Sequence, residues 1–196
     1  IDKYGVTERH LAMVAVKNQN NALRNEFAHL HQPITVEGIL DSPEAMTNNP
    51  YVSEPLRFFD CCPVSDGGAC VILASREAAE RLGKPLVRLA GVGQATDTHC
   101  VHEREEPTDL LAVRRAAAQA FGRAGLAPSD VDVAELHDAF TILEIAESEE
   151  VGFFEKGTGH IALEKGETAI DGRLPINPSG GLKGKGHPVG ATGIAQ

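Results

Sequence analysis

Asn177-Pro178-Ser179-Gly180-Gly181 and, four residues on, Gly186-His187-Pro188-Val189-Gly190 bring four glycines and a histidine into one short stretch. Glycine turns with positive φ at no steric cost and lets another group approach the backbone closely. Pro188 suits the first turn of a helix, where its missing N–H is no loss, and Ala191-Thr192-Gly193-Ile194-Ala195 reads on as that helix. His187 then stands at or just before a helix N-terminus. The positive end of a helix disfavours imidazolium, and a neutral imidazole can take a proton. That suits a general base near neutral pH. The same spacing also fits a glycine-rich surface turn that holds a bystander histidine.

Composition narrows the function classes. With 196 residues, 42% of them hydrophobic, the chain can bury one ordinary core or two incomplete ones and lies outside the disordered class. Eighteen basic against 28 acidic residues give a net charge of -10, which argues against nucleic-acid binding. Lys183 and Lys185 beside the glycine loop are a local basic patch or two solvated lysines. No apolar run is long enough to span a bilayer, and no secretory pattern is visible. The chain opens on Ile1 rather than Met, so its true start is expected further upstream. Cys61, Cys62, Cys70 and Cys100 form no Cys-x-x-Cys pair, and a reducing, cytoplasmic setting with no metal is expected. His99-Cys100-Val101-His102, beside Glu103 and Glu105, reads as a loop.

Thr7 is placed to cap a helix from Glu8 to about Leu30 that buries Leu11, Val14, Ala15, Ala22, Leu23 and Phe27. Residues 33–66 are rich in proline and irregular, which in a compact domain marks a functional segment or lid. Cys70–Ala74 and Leu86–Val92 read as strands, the first buried, with a short helix from Arg76 to Leu82 between them. Thr108 is expected to cap a helix over Asp109–Ala124 that Gly125 closes. Val131, Val133 and Leu136 alternate as a strand leading into His137, and Phe140–Val151 follows as a helix with Glu147, Glu149 and Glu150 on its wet side. This order predicts an α/β unit, a sheet covered by helices. His137 falls where strand hands over to helix, a usual place for site residues.

Residues 177–193 resemble the C-terminal signature of the thiolase superfamily, Asn-x-Ser-Gly-Gly followed by Gly-His-Pro-x-Gly-Ala-Thr-Gly. Fifty positions before His187, Glu135-Leu136-His137-Asp138-Ala139-Phe140 resembles a second thiolase signature, in the His-Asp-x-Phe form of the sterol-carrier-protein-type thiolases and their bacterial and archaeal relatives. Ser65-Asp66-Gly67-Gly68-Ala69 is similar to the family's Asp-Gly-Ala-Ala turn. The likeness spans the chain but only the later half of a thiolase. It implies a layered αβαβα fold, incomplete here. Residues 1–84 would be a loop-domain remainder with the last strand of the N-terminal domain, and 85–196 a C-terminal domain cut short at its end.

The resemblance also implies an acyl-CoA acyltransferase: thiolytic cleavage of 3-ketoacyl-CoA or the reverse Claisen condensation. His187 would deprotonate the nucleophile and His137 would polarise the thioester oxygen. Asn177, Gly180, Gly181 and Gly190 would bind substrate. Coenzyme A would be co-substrate, with no permanently bound cofactor. A homodimer or homotetramer is expected, and a separate acyl-CoA-binding partner protein is known in parts of the superfamily. The family's nucleophilic cysteine and second acid/base cysteine match no position here, so these 196 residues alone are expected to be inactive and not independently stable. Two other readings stay open: a superfamily aldolase acting on CoA-linked side chains, and a non-catalytic lipid-carrier or scaffold subunit. Cys61, Cys62 and Cys70 read as packing residues, Asp138 as a turn former and Glu144 as an exposed helix position.

Overall fold

A computed structural model describes residues 1–196. Helix α1 (Glu8–Ala22) is its centre. Thr7 opens it as expected, through a box in which His10 Nδ1 accepts the Thr7 N–H at 2.8 Å. One face of α1, with Leu11 and Val14, packs with Val6, Ile145 and Leu163. Ala12 and Ala15 meet Ile39 from a π-helical turn at Glu37–Asp41. A third cluster, Leu136, Leu174 and Ile176, gathers beneath the two signature segments.

The expected run of this helix to Leu30 is a correction. α1 stops at Ala22, and the chain beyond it serves the glycine loop. Asn25 donates its side-chain amide to the Ser179 carbonyl at 3.0 Å and accepts the Phe27 N–H at 3.1 Å. The N–H groups of His29 and Leu30 go to the carbonyls of Lys185 and Gly184, end groups of a short helix that has no later turn to satisfy them. Phe27, read as a core residue, is 81% exposed.

A short helix α2 (Ala45–Asn48) precedes a short antiparallel pair, β1 (Tyr51–Ser53) with β2 (Leu56–Arg57), and α3 (Arg76–Arg81) follows it. The chain then continues through α4 (Leu111–Ala124), α5 (Thr141–Glu150), α6 (Gly159–Glu164), α7 (Gly181–Lys185) and α8 (Val189–Ala195). The order matches the α/β reading, but the sheet does not. β1–β2 is the one sheet formed. Residues 70–74 and 86–92 are extended and unpaired, and 131–136 makes a single parallel bridge, Ala134 to Ile176. A strand needs a neighbour to satisfy its N–H and C=O groups, and within these residues the first two have none. Cys70, Val71, Ile72 and Leu73, expected to be buried, are exposed.

Helix α4 does lie against the second extended segment. Gly91 and Gly93 sit so close to the carbonyls of Ala120 and Ala116 that a Cβ on either would collide with them. Arg123 and Gln119 donate to the carbonyls of Val92 and Gln94 at 2.7 and 3.0 Å. Gly125 closes α4 in the left-handed region, φ 68°. Thr108 does not cap it; its hydroxyl goes to Glu106, and Leu110 holds the cap position. The acidic face of α5 is also reversed. Glu144 and Glu150, read as solvated, are 2% and 4% exposed. Glu150 meets Arg114 at 2.7 Å and is bonded by Lys156 as well, while Glu144 enters the network described next.

Candidate active site

Both signature histidines sit where regular structure hands over to a loop. His137 follows the segment that bridges Ala134 to Ile176 and precedes α5. His187 lies between α7 and α8. The two imidazoles meet edge to face, with ring centroids 5.0 Å apart and planes at 82°. Residues 61–65 hold the two loops together. The Cys62 N–H donates to the Ala139 carbonyl at 2.9 Å and Cys61 bridges Phe140. Val64 runs parallel to His187, whose N–H donates to Ser65 Oγ at 3.1 Å. Thr141 Oγ1 donates to the buried Asp60 carboxylate at 2.8 Å and ties the start of α5 to the same segment.

The histidines differ in how they are held. His187 Nδ1 is 2.8 Å from Thr192 Oγ1, a buried hydroxyl on α8, which leaves Nε2 facing outward from the loop. The His137 ring makes no hydrogen bond to protein; its backbone N–H does, to Glu147 Oε2 at 2.8 Å. The His137 pKa is lowered, first by burial and then by the neighbouring His187, so a neutral imidazole prevails at neutral pH.

Under the pair lies a buried polar hub. Asn177 is fully enclosed and has φ 55°, a left-handed conformation that Asn tolerates better than most residues. Its Oδ1 accepts the Leu136 N–H at 2.8 Å, and its Nδ2 donates to Glu144 Oε2 at 2.8 Å. Glu144 also takes Asn18 Nδ2 at 2.7 Å and pairs with Lys17 at 3.0 Å. Lys17 donates as well to the Ile176 carbonyl at 2.6 Å. Asp138, 0% exposed, accepts Asn18 Nδ2 at 2.8 Å and the Leu182 N–H at 2.7 Å, so its carboxylate caps the N-terminus of α7. Burial, then the charge of Glu144, pushes the Asp138 pKa up to about 6. Burial, then Asp138 and Glu144, pushes Glu147 up to about 7.

The remaining expected site residues fall in three places. Asn177 has both polar atoms of its side chain engaged within the protein and is 0% exposed, so in this chain it shapes the loop. Gly180 and Gly181 are buried and in positive φ; a Cβ on Gly180 would strike Ala22, and one on Gly181 would strike Asp138. These glycines let α7 dock on α1 and on its carboxylate cap. Gly190 is exposed, on α8. Lys185, Gly186, Pro188 and Ser179 line a cleft of about 400 Å3 on this side of the loop. Away from the site, donor atoms of Cys100, His102 and Glu103 lie within 4.8 Å of one another on an exposed turn. Lys17, Asn18, Ser65, Glu147 and Thr192 are structural partners to which the sequence reading gave no site role. Ser65 and Thr192 stood within the quoted motifs, and Asn18 occupies a core position of α1, in register with Leu11, Ala15 and Ala22.

The chain belongs to the thiolase superfamily: residues 93–196, which include both histidine loops, match the family described as Thiolase C-terminal domain-like. It is 45% identical to the acetyl-CoA acetyltransferase of Methanothermobacter thermautotrophicus, over 99% of this chain and 49% of that protein. It is 34% identical to the sterol carrier protein 2 of Gallus gallus, over all of this chain and 36% of that one. Among solved structures, the Ltp2-ChsH2(DUF35) aldolase superposes with a TM-score of 0.84 at 32% identity, covering 99% of this chain and 50% of that one. The fold is therefore thiolase-like α/β, and the chain spans about half the length, or less, of the curated relatives it matches.

Proposed function

We propose that this chain supplies the histidine-bearing part of a thiolase-type acyl-CoA acyltransferase. The observation that carries the proposal is the contact of His137 and His187 at 5.0 Å between ring centroids. When His187 Nδ1–H donates to Thr192 Oγ1, Nε2 carries the lone pair and can take a thiol proton. His137, held neutral, donates its ring N–H to the thioester oxygen on which charge develops. Burial raises the thiol pKa values of Cys61 and Cys62, the reverse of an activated nucleophile, and none of the four cysteines stands in a family nucleophile motif, which supports a nucleophilic cysteine supplied from outside these residues. Coenzyme A is the co-substrate, with no cofactor bound permanently. Gly190 and the cleft lined by Lys185 lie on the side from which it would arrive. The division at residues 84/85 and a homo-oligomeric assembly belong to the same reading.

The test is thiolysis of acetoacetyl-CoA by the full-length protein. His187→Ala is expected to slow it by about 10²- to 10⁴-fold, the usual worth of a general base. Turnover at the parent rate would overturn the assignment. The likeness to the aldolase structure supports a second reading, in which the same histidines cleave an aldol on a CoA-linked chain. Thiolysis consumes free CoA and aldol cleavage does not, so the CoA requirement separates the two. A protein with neither activity would fit the non-catalytic subunit.

A further inference from the structure

Lys183 is 4% exposed. Its ammonium donates to the Cys61 carbonyl and forms no ion pair, whereas Lys17, also enclosed, has Glu144 Oε1 at 3.0 Å. An ammonium has three donors, and a buried one without a counter-ion is costly. Lys183, Cys61 and Cys62 line a cavity of about 260 Å3 together with the apolar Leu30, Phe59 and Pro63 and the amides Gln19 and Gln32. Phe58, 59% exposed, stands at its lip. The sequence reading offered this lysine as half of a local basic patch or as a solvated residue, and its burial fits neither. A desolvated lysine in an apolar pocket is the usual setting of an amine nucleophile.

We propose that the Lys183 cavity is a second reactive site, which captures small aldehydes or ketones as an imine. The neutral amine adds to the carbonyl carbon, the carbonyl oxygen takes up a proton, and the carbinolamine then loses water to leave C=N. At roughly 30 Å3 per water-sized volume, the space admits a molecule of about four to eight heavy atoms, so the ligand is a short-chain carbonyl compound. The electrostatics support this. Burial brings the Lys183 pKa down to about 8, against the opposing pull of Asp138, Asp60, Cys61 and Cys62, the charged and titratable groups that face it. Neutral amine is therefore present near pH 8, where an ordinary lysine is almost wholly protonated.

The experiment uses the full-length protein, propanal and cyanoborohydride, which reduces the imine to a stable secondary amine. Labelled sites are read by peptide mass. At pH 8 Lys183 is expected to be labelled on the order of ten-fold faster than Lys165 and Lys185, since its extra neutral amine outweighs its lower basicity. Its labelling should rise through pH 8 and level off by about pH 9, while that of the exposed lysines keeps rising. Labelling of Lys183 that lags behind Lys165, or that follows the same pH curve, would overturn the proposal. Because the test uses the parent sequence and reads a mass shift, it requires neither a folded variant nor thiolysis, and its failure leaves the histidine assignment untouched.

Discussion

Two regions of this molecule invert the usual relation of polarity to burial. Beneath the histidines, Lys17, Asn18, Asp138, Glu144 and Asn177 are enclosed and bonded to one another. Along residues 70–92, Ile72 and Val87 stand 87% and 97% exposed, with no strand beside them. The first region is complete within the chain: donors and acceptors face each other at 2.7 to 3.0 Å, and the loops of both histidines hang from them. The second, apart from the end where α4 packs on Gly91, is an apolar surface that nothing in these residues covers. The geometry of the candidate site therefore depends on the polar hub and not on a sheet. Variants in the hub should move both stability and the site, and variants at the exposed side chains of the extended segments should move neither.

The largest expected effect follows from removing a charge from the hub. Glu144→Ala leaves the largely enclosed Lys17 ammonium without its counter-ion and should destabilise the protein by about 3 kcal/mol, the lower end for a buried pair. Replacing both partners, Lys17→Met with Glu144→Leu, should recover much of that loss, because no charge is then stranded. Urea unfolding measures both. A single variant as stable as the parent would show that the hub does not hold the site.

Asn177 sharpens the same point at a smaller scale. Asn177→Ala loses the bonds to Leu136 N–H and Glu144 and puts a β-carbon residue at φ 55°. A loss of about 2–3 kcal/mol is expected. Asn177→Gly relieves the backbone but not the bonds, so it should fall between the two. If Asn177→Gly matches the parent, the strained backbone and not the hydrogen bonds sets this residue.

The signatures placed His137 and His187 correctly at the ends of regular segments, and glycine chemistry announced the tight turn. α1, α4 and α5 were legible from their apolar spacing and from Gly125. What the sequence concealed was long-range pairing. Glu144 and Glu150 look solvated on a helical wheel, because acids on one helix face are usually wet. Only their partners Lys17 and Arg114, 127 and 36 positions away, turn them inward. Similarly, Cys70–Ala74 has the composition of a buried strand, but composition does not supply the neighbour that a strand requires. Residues 61–65 carried no periodic signal, and their role as a clasp between two loops is set by backbone hydrogen bonds that leave no side-chain pattern, together with the single hydroxyl of Ser65.

The pH dependence of stability separates the hub from the exposed ion pairs. The Glu147 pKa rises from 4.5 to about 7 in the folded chain. Between these values the folded state binds the proton more tightly than the unfolded one, so this group's contribution to stability falls as pH rises from 4.5 to 7. Asp138 acts with the same sign between 3.8 and about 6. Glu150, whose pKa is held down by Arg114 and Lys156 against burial, acts with the opposite sign and adds stability as it ionises. Glu147→Gln keeps an acceptor for the His137 N–H but cannot titrate. Relative to the parent, its melting temperature should gain steadily from pH 4.5 to 7 and hold level above that. An unchanged difference across this range would place Glu147 in solvent.

The smallest expected effect lies at the other pole of the comparison. Ile72 and Val87 contact little, so Ile72→Lys and Val87→Lys should change the unfolding free energy of residues 1–196 by no more than about 0.5 kcal/mol, as for ordinary surface sites. Their effect should appear instead in association. An extended, unpaired apolar segment is a template for pairing with another chain, and a charge placed in it opposes that. Light scattering of the 196-residue chain against concentration should show aggregation that the two lysines reduce, with the melting temperature unchanged. The same pair of substitutions in the full-length protein gives the decisive contrast. If the remainder of the protein covers these segments, the lysines become buried and cost several kcal/mol there. If they cost nothing in the longer chain either, the exposed strip is a true surface of the protein, and the likeness of its apolar composition to that of a sheet strand has no structural counterpart.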